Sequence, residues 1–335
     1  MPKSQPTLKT ETPKTETSET VLRRLEWTVL RRLDGVLHGD YRTLFRGFGL
    51  DLAGLREYQL HDDVRHIDWN VTARLQQPYV RQYNEDREVT AWFLLDISPS
   101  IDFGSEQVKK RAVLADFVGV VSRLLTRHGN RVGAILYSGG KNGRIDAVIP
   151  PRTGRRHVLH ILNTLRDTPE LTKAPETNLG DFLKSALTIL QRRSLVFVVS
   201  DFISSPGWTE TLAHLVMRHE VLAVRLFDQL EMELPDLGLL VMQDAETGEQ
   251  IFVDTHDRGF RRRFAALAAQ REESLRTSFG KAGVDALELS TNDDLVETIL
   301  RFADLRKRRS QIAAGGGMPQ HLKAQTQELR GDARA

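Results

Sequence analysis

The chain contains no cysteine. That excludes disulfides, thiolate metal sites and cysteine nucleophiles, and it fits a reducing compartment. No apolar run approaches the ~20 residues that a membrane span needs, and the N-terminus has no apolar signal region. Charge of one sign is also scarce. Its 47 Lys and Arg against 45 Asp and Glu leave a net charge of +2, too little to argue for nucleic acid or an anionic membrane. Gly47, Gly49 and Gly54 have the spacing of turn residues. The Lys and Ser/Thr that a phosphate loop requires do not follow them. No internal repeat is present. What remains is an ordinary soluble composition, 40% hydrophobic and 27% charged over 335 residues, with room for a sizeable core. The cytoplasm is the expected location.

What the chain does have is organised around Val89–Ser100, Val-Thr-Ala-Trp-Phe-Leu-Leu-Asp-Ile-Ser-Pro-Ser. The β-branched and aromatic run reads as a buried strand, and Pro99 stops it. Asp96, Ser98 and Ser100 then place three oxygen-bearing side chains at alternate positions. Such groups suit the carboxyl end of a parallel strand, where open α/β sheets bind ligands. A carboxylate and two hydroxyls are hard donors of the kind Mg²⁺ accepts.

The flanking segments divide the chain further. Residues 1–20, rich in Pro, Lys, Thr, Glu and Ser, are expected to be a disordered tail. From Val21, a helical stripe of Leu22, Leu25, Val29, Leu30, Leu33 and Leu37 faces away from arginines, which read as a solvated face. Residues 21–88 are expected to form a segment packed on the main domain, with Tyr58, Ile67 and Trp69 as its apolar anchors. His61, Asp62, Asp63, His66 and Asp68 could be a metal cluster. The surrounding Arg56, Arg65, Arg74, Arg81 and Arg87 favour ion pairing instead.

Beyond the first strand, residues 89–306 alternate between strand and helix. Strands are expected at 131–137, 144–149, 194–200, 220–226 and 284–289. Helices are expected at 105–127, 154–166, 178–191, 208–218, 257–281 and 293–306, with a hairpin around Glu246–Gly248. The inner face of the first of these helices reads as Val108, Ala112, Ala115, Val118, Gly119, Ser122 and Leu125. This alternation implies a doubly wound, mostly parallel α/β sheet, Rossmann-like, with helices on both faces. Residues 307–335 read as a mobile tail.

If the strands ending at Asp96 and Asp201 are neighbours where strand order reverses, their carboxylates share one crevice. Thr177, before the helix that leads into the Asp201 strand, would join them. The candidate site is Asp96, Ser98, Ser100, Thr177 and Asp201. The bland alternative is that Ser98, Ser100 and Asp201 only cap nearby helices.

This constellation resembles the metal-ion-dependent adhesion site of von Willebrand factor type A domains, Asp-x-Ser-x-Ser followed by a distant Thr and a later Asp. The preceding Arg56-Glu57-Tyr58, Asp62-Asp63, Arg65, Ile67-Asp68-Trp69 and Ala73-Arg74 resemble the signature of the bacterial family catalogued as domain of unknown function 58. Many members have Gly where this chain has His61, and many begin with membrane helices. The resemblance implies Mg²⁺ or Mn²⁺ held directly by Ser98, Ser100 and Thr177 and through water by Asp96 and Asp201. It also implies a partner Asp or Glu completing the coordination. The family's association with MoxR-type AAA+ ATPases implies a non-enzymatic adaptor in the assembly or maturation of other complexes. The competing reading is a phosphatase of the haloacid-dehalogenase class using Asp96 as nucleophile with Thr177, Lys184 and Asp201. That class needs a second Asp two residues after the nucleophile as general acid, and this chain has Ser98 there. Ser98 and Ser100 also lack the flanking glycines of a serine hydrolase elbow.

Overall fold

The computed structural model describes residues 17–33, 52–58, 69–83, 89–104, 108–139, 144–169, 177–243 and 250–313. Strands β3 (Thr90–Asp96), β4 (Arg131–Tyr137), β5 (Ala147–Arg152), β6 (Leu195–Ser200), β7 (Glu220–Phe227) and β10 (Asp285–Ser290) form one sheet in the order β10-β7-β6-β3-β4-β5. All neighbours are parallel except β5, which runs antiparallel to β4 at the edge. The chain passes from β3 outward through β4 and β5, then returns to lay β6 on the other side of β3. Strand order therefore reverses between β3 and β6, and their carboxyl ends flank the crevice of a doubly wound sheet.

The helices over this sheet are α3 (Lys110–Arg127), α4 (Arg155–Asp167), α5 (Leu179–Ile189), α6 (Trp208–Arg218), α7 (Arg258–Ala282) and α8 (Leu295–Ala313). Because side chains alternate across a strand, β3 feeds two separate cores. Phe93 and Leu95 join α3, α4 and α8 on one face. Trp92 and Leu94 join α5, α6 and α7 on the other. Phe93 stacks on Phe197 of β6 with centroids 4.8 Å apart, and Phe117 of α3 meets both rings edge-on. Across the sheet, Gly133 of β4 makes room for Trp92, since a Cβ there would lie 2.9 Å from the indole.

The N-terminal stripe is buried on this domain. Helix α1 (Ser18–Leu25) continues through a π-helical turn at Glu26–Leu30. Leu22, Leu25, Leu30 and Leu33 are buried in the core shared with α3 and α4. Its charged face is tied down too: Glu19 meets Arg155 at 2.9 Å, Arg24 meets Asp116 at 3.3 Å, Glu26 meets Arg123 at 2.6 Å and Arg32 meets Asp294 at 2.8 Å.

Several sequence expectations need correction. Helix α1 starts at Ser18, inside the segment read as a tail, and α8 runs to Ala313 rather than stopping at 306. The first long helix begins at Lys110, not 105, and its buried side includes Leu114, Phe117 and Val121. Of the predicted inner face, Val118, Gly119, Ser122 and Leu125 are buried, whereas Ala112 is exposed and Val108 is 41% exposed. The helix lies between the sheet and α1, so two of its sides are covered and a single-face pattern catches only part of the buried surface. Trp69, expected to anchor the preceding segment, is 69% exposed at the start of α2 (Trp69–Leu75). That helix connects β1 (Leu52–Glu57) to β2 (Tyr79–Tyr83), an antiparallel pair of their own. The candidate cluster His61, Asp62, Asp63, His66 and Asp68 lies outside the described residues, as do residues 1–16 and 314–335. The predicted hairpin is β8 (Leu239–Gln243) with β9 (Gln250–Asp254).

Candidate functional site

The carboxyl ends of β3 and β6 converge as the strand reversal requires. Leu95 pairs with Val199, so Asp96 and Ser200 are the next residues on each strand. Ser200 donates its hydroxyl to Asp96 Oδ2 at 2.7 Å, and the Ser98 N–H donates to Asp96 Oδ1 at 3.0 Å. The Ser98 and Ser100 hydroxyl oxygens lie 3.1 Å apart, Ser100 within the 3-10 turn Pro99–Asp102. On the β6 side, Ile203 N–H donates to Asp201 Oδ1 at 3.0 Å.

Asp201 is presented by an unusual backbone. Phe202, directly after it, has φ of +59°, the left-handed region that costs a residue with a Cβ ~1 kcal/mol or more. The surroundings hold it there. Its ring packs on Trp208 and Phe279, with centroids 5.3 and 4.9 Å away. Its N–H donates to Ser200 Oγ at 2.9 Å. Strain that packing over-determines in this way is concentrated at functional sites. Nothing in the sequence pattern marks Phe202 for this conformation.

Thr177 arrives from the loop before α5 and is fully buried. Its carbonyl accepts from Ser204 Oγ at 2.9 Å and from Ser205 N–H at 3.1 Å, which ties it to the loop that follows Asp201. The next residue, Asn178, is fixed from both sides. Its N–H donates to the Tyr137 hydroxyl of β4 at 3.0 Å, and its side chain caps α5 by accepting from Asp181 N–H at 3.0 Å.

All five predicted residues are buried at the same end of the sheet, with Ser100, at 7% exposure, the most open. The simple capping alternative does not describe them. Ser98 makes no side-chain cap to the 3-10 turn, and α6 begins at Trp208, well past Asp201. Burial, and secondarily the charge of Asp201, push the Asp96 carboxyl up to about 6. The ionised form of Asp96 is therefore held at a cost.

Sequence reasoning missed the third charged partner. Lys110, the first residue of α3, is completely buried. Its ammonium lies 2.9 Å from Asp201 Oδ2 and 2.6 Å from Glu231 Oε1, within a 3-10 turn at Gln229–Glu231 that follows β7. Lys184, the lysine of the phosphatase reading, is instead on the exposed side of α5 and pairs with Asp181 at 3.2 Å.

The donor set suits a hard divalent cation. Hydroxyls and carboxylates are its natural ligands, and two buried acids in mutual repulsion are a place where positive charge is favoured. Ser98, Ser100 and Thr177 would hold such an ion, with Asp96 and Asp201 balancing its charge. The described residues contain no cluster of three or more His, Cys, Asp or Glu placed to hold a metal.

The chain matches the family described as "Protein of unknown function DUF58" over residues 54–274. It belongs to that family. Members similar to it include "Uncharacterized protein Rv1480" of Mycobacterium tuberculosis and "Uncharacterized protein Mb1516" of Mycobacterium bovis. Each is 38% identical over 288 residues, covering 86% of this chain and 89% of the relative. Solved structures with likeness to this DUF58 chain include the conserved hypothetical protein BatB from Bacteroides thetaiotaomicron. That match has 14% identity and a TM-score of 0.40, covering 66% of this chain and 99% of that one. Manganese-loaded TRAP protein from Plasmodium vivax matches at 18% identity with a TM-score of 0.28, covering 41% of this chain and 57% of the other. No helix among the described residues is long and apolar enough to cross a membrane.

Proposed function

We propose that this DUF58 protein is a non-enzymatic, metal-dependent adaptor that binds another protein through the crevice between β3 and β6. The observation that carries the reading is the meeting of Asp96 with the touching hydroxyls of Ser98 and Ser100 at the strand-order reversal, beside buried Asp201 and Thr177. Mg²⁺ or Mn²⁺ bound there would offer an open coordination position to an acidic side chain of the partner. The chain's own residues supply the rest. Ser200 and the Ser98 N–H fix the Asp96 carboxylate, Ile203 N–H fixes Asp201, and the Ser204–Thr177 bond holds the two loops in register. By the resemblance, the partner is a MoxR-type AAA+ ATPase or its client, in the cytoplasm.

The test is a pull-down from cell extract with wild type and Thr177→Ala, in Mg²⁺ and in EDTA, with thermal melts alongside. Wild type captures partners only in Mg²⁺, and the folded variant loses them. Equal capture in EDTA sinks the reading. The phosphatase alternative relies on Lys184, which instead pairs with Asp181 on the exposed side of α5. It also lacks a general acid at Ser98. Asp96-dependent turnover of an aryl phosphate would favour it over the adaptor.

A further inference from the structure

Among the described residues, Lys110 is the buried group that the crevice reading leaves unexplained. A lysine is among the residues least often buried, yet this one has no exposed surface. It also opens helix α3, where the helix dipole disfavours positive charge. It persists because Asp201 and Glu231 grip it at 2.9 and 2.6 Å. The Asp201 oxygen it takes, Oδ2, is the one that Ile203 leaves free, since Ile203 N–H is bound to Oδ1. Glu231 is held independently of the lysine, because its Oε2 accepts from Asp228 N–H at 3.2 Å. The ammonium therefore has two seats, one inside the crevice and one beside it.

We propose that Lys110 is a tethered cation that lowers the affinity of the crevice for divalent metal, with Glu231 as the seat to which it withdraws when metal binds. The proposal rests on the adhesion-site reading above and deepens it by naming the residues that set metal affinity. Its physical basis is charge. Two carboxylates, Asp201 and Glu231, grip one ammonium. An incoming divalent ion must share Asp201 with that ammonium or displace it. A single charge that shares a carboxylate with a divalent ion changes affinity about tenfold even at the dielectric of water, and by more in a buried site. Glu231 offsets part of this penalty by drawing the ammonium away from Asp201.

The test is calorimetric titration of the EDTA-stripped full chain with Mn²⁺, for wild type, Asp96→Ala, Lys110→Met, Lys110→Arg, Glu231→Gln and the Lys110→Met/Glu231→Gln pair. Wild type binds and Asp96→Ala does not. Lys110→Met binds about tenfold or more tightly, whereas Lys110→Arg, which keeps the charge, shows no such gain. Glu231→Gln weakens binding, and most of that loss disappears when Lys110 is already Met, because Glu231 acts through the lysine. If wild type and Asp96→Ala titrate alike, the adhesion-site reading fails and this proposal with it. If wild type binds through Asp96 but Lys110→Met binds no more tightly, only the role given to Lys110 is overturned. Should Lys110→Met not fold, Glu231→Gln decides: unchanged Mn²⁺ affinity there overturns the proposal.

Discussion

Replacing Asp96 by Asn separates what this carboxylate does for the fold from what it does for the crevice. Asp96 is buried next to Asp201, and burial with that neighbour lifts it from 3.8 to about 6. Between those values the folded chain holds a proton that the unfolded chain has lost. Stability therefore falls as pH rises through this window, and the penalty is complete at pH 7. At ~1.4 kcal/mol per pKa unit, its ceiling is ~3 kcal/mol. Asn keeps the oxygen that accepts from Ser98 N–H but turns an amide toward Ser200, whose hydroxyl now donates to Asp96 Oδ2. Losing that bond costs ~1 kcal/mol. The net expectation is that Asp96→Asn stabilises the metal-free protein by ~1–2 kcal/mol at pH 7. In a domain of this size that raises Tm by roughly 2–8 °C. The advantage shrinks toward pH 4.5, where wild-type Asp96 is already protonated, and Mn²⁺ raises the melting temperature of wild type but not of the variant. Thermal melts at the two pH values, in EDTA and in Mn²⁺, check all of this. A variant that melts below wild type at pH 7 in EDTA, or by the same margin at both pH values, would refute the account of Asp96 as an unfavourably buried charge.

Other perturbations test the frame around the crevice. Leu22→Ala empties a fully buried position between α1 and the domain and is expected to cost ~2–5 kcal/mol in urea unfolding, in a single transition. Glu272→Ala removes the carboxylate that grips buried Arg225 with both oxygens and leaves it the more distant Glu288 at 3.7 Å, and should cost up to ~3–5 kcal/mol by the same measurement. His219 is buried, neither ring nitrogen has a hydrogen-bond partner among the described residues, and burial holds its pKa below the usual value. Its contribution is full above pH ~6.5 and is lost as pH falls below that value, where the unfolded chain takes up the proton first. His219→Leu should therefore stabilise the protein more at pH 5.5 than at pH 7.5.

The fold was largely legible because a doubly wound sheet repeats one signal. Each parallel strand is a short apolar run, as in Leu195–Ser200, and each helix between them has room for several turns. Boundaries failed where two layers cover one element. Helix α3 is buried against both the sheet and α1, so its apolar positions do not mark a single face. Trp69 failed differently. A large aromatic among charges reads as an anchor, yet at the first position of a short helix it stands out into solvent. Sequence pattern carries no information on which way such a terminus points.

Asp96, Ser98, Ser100 and Asp201 stand out in the sequence because each follows an apolar strand, and Thr177 because it precedes a helix entry. Lys110 does not, because Lys109-Lys110 at the start of an amphipathic helix reads as a solvated pair. What buries Lys110 lies 91 and 121 positions downstream. This changes the expectation for Asp201. Considered against Asp96 alone, removing Asp201 relieves repulsion and stabilises the metal-free chain. With Lys110 in place, Asp201→Ala also leaves a buried ammonium with only Glu231 to hold it. Removing one partner of a buried pair costs ~3–5 kcal/mol, which exceeds what relief of the Asp96 repulsion returns. Asp201→Ala should therefore lower the melting temperature, and Asp201→Ala with Lys110→Met should recover most of the loss. Recovery in the double variant, read in EDTA where no metal contributes, separates the lysine's hold on the fold from its influence on the crevice. An Asp201→Ala chain that melts at or above wild type would mean that Glu231 alone is enough to keep Lys110 buried.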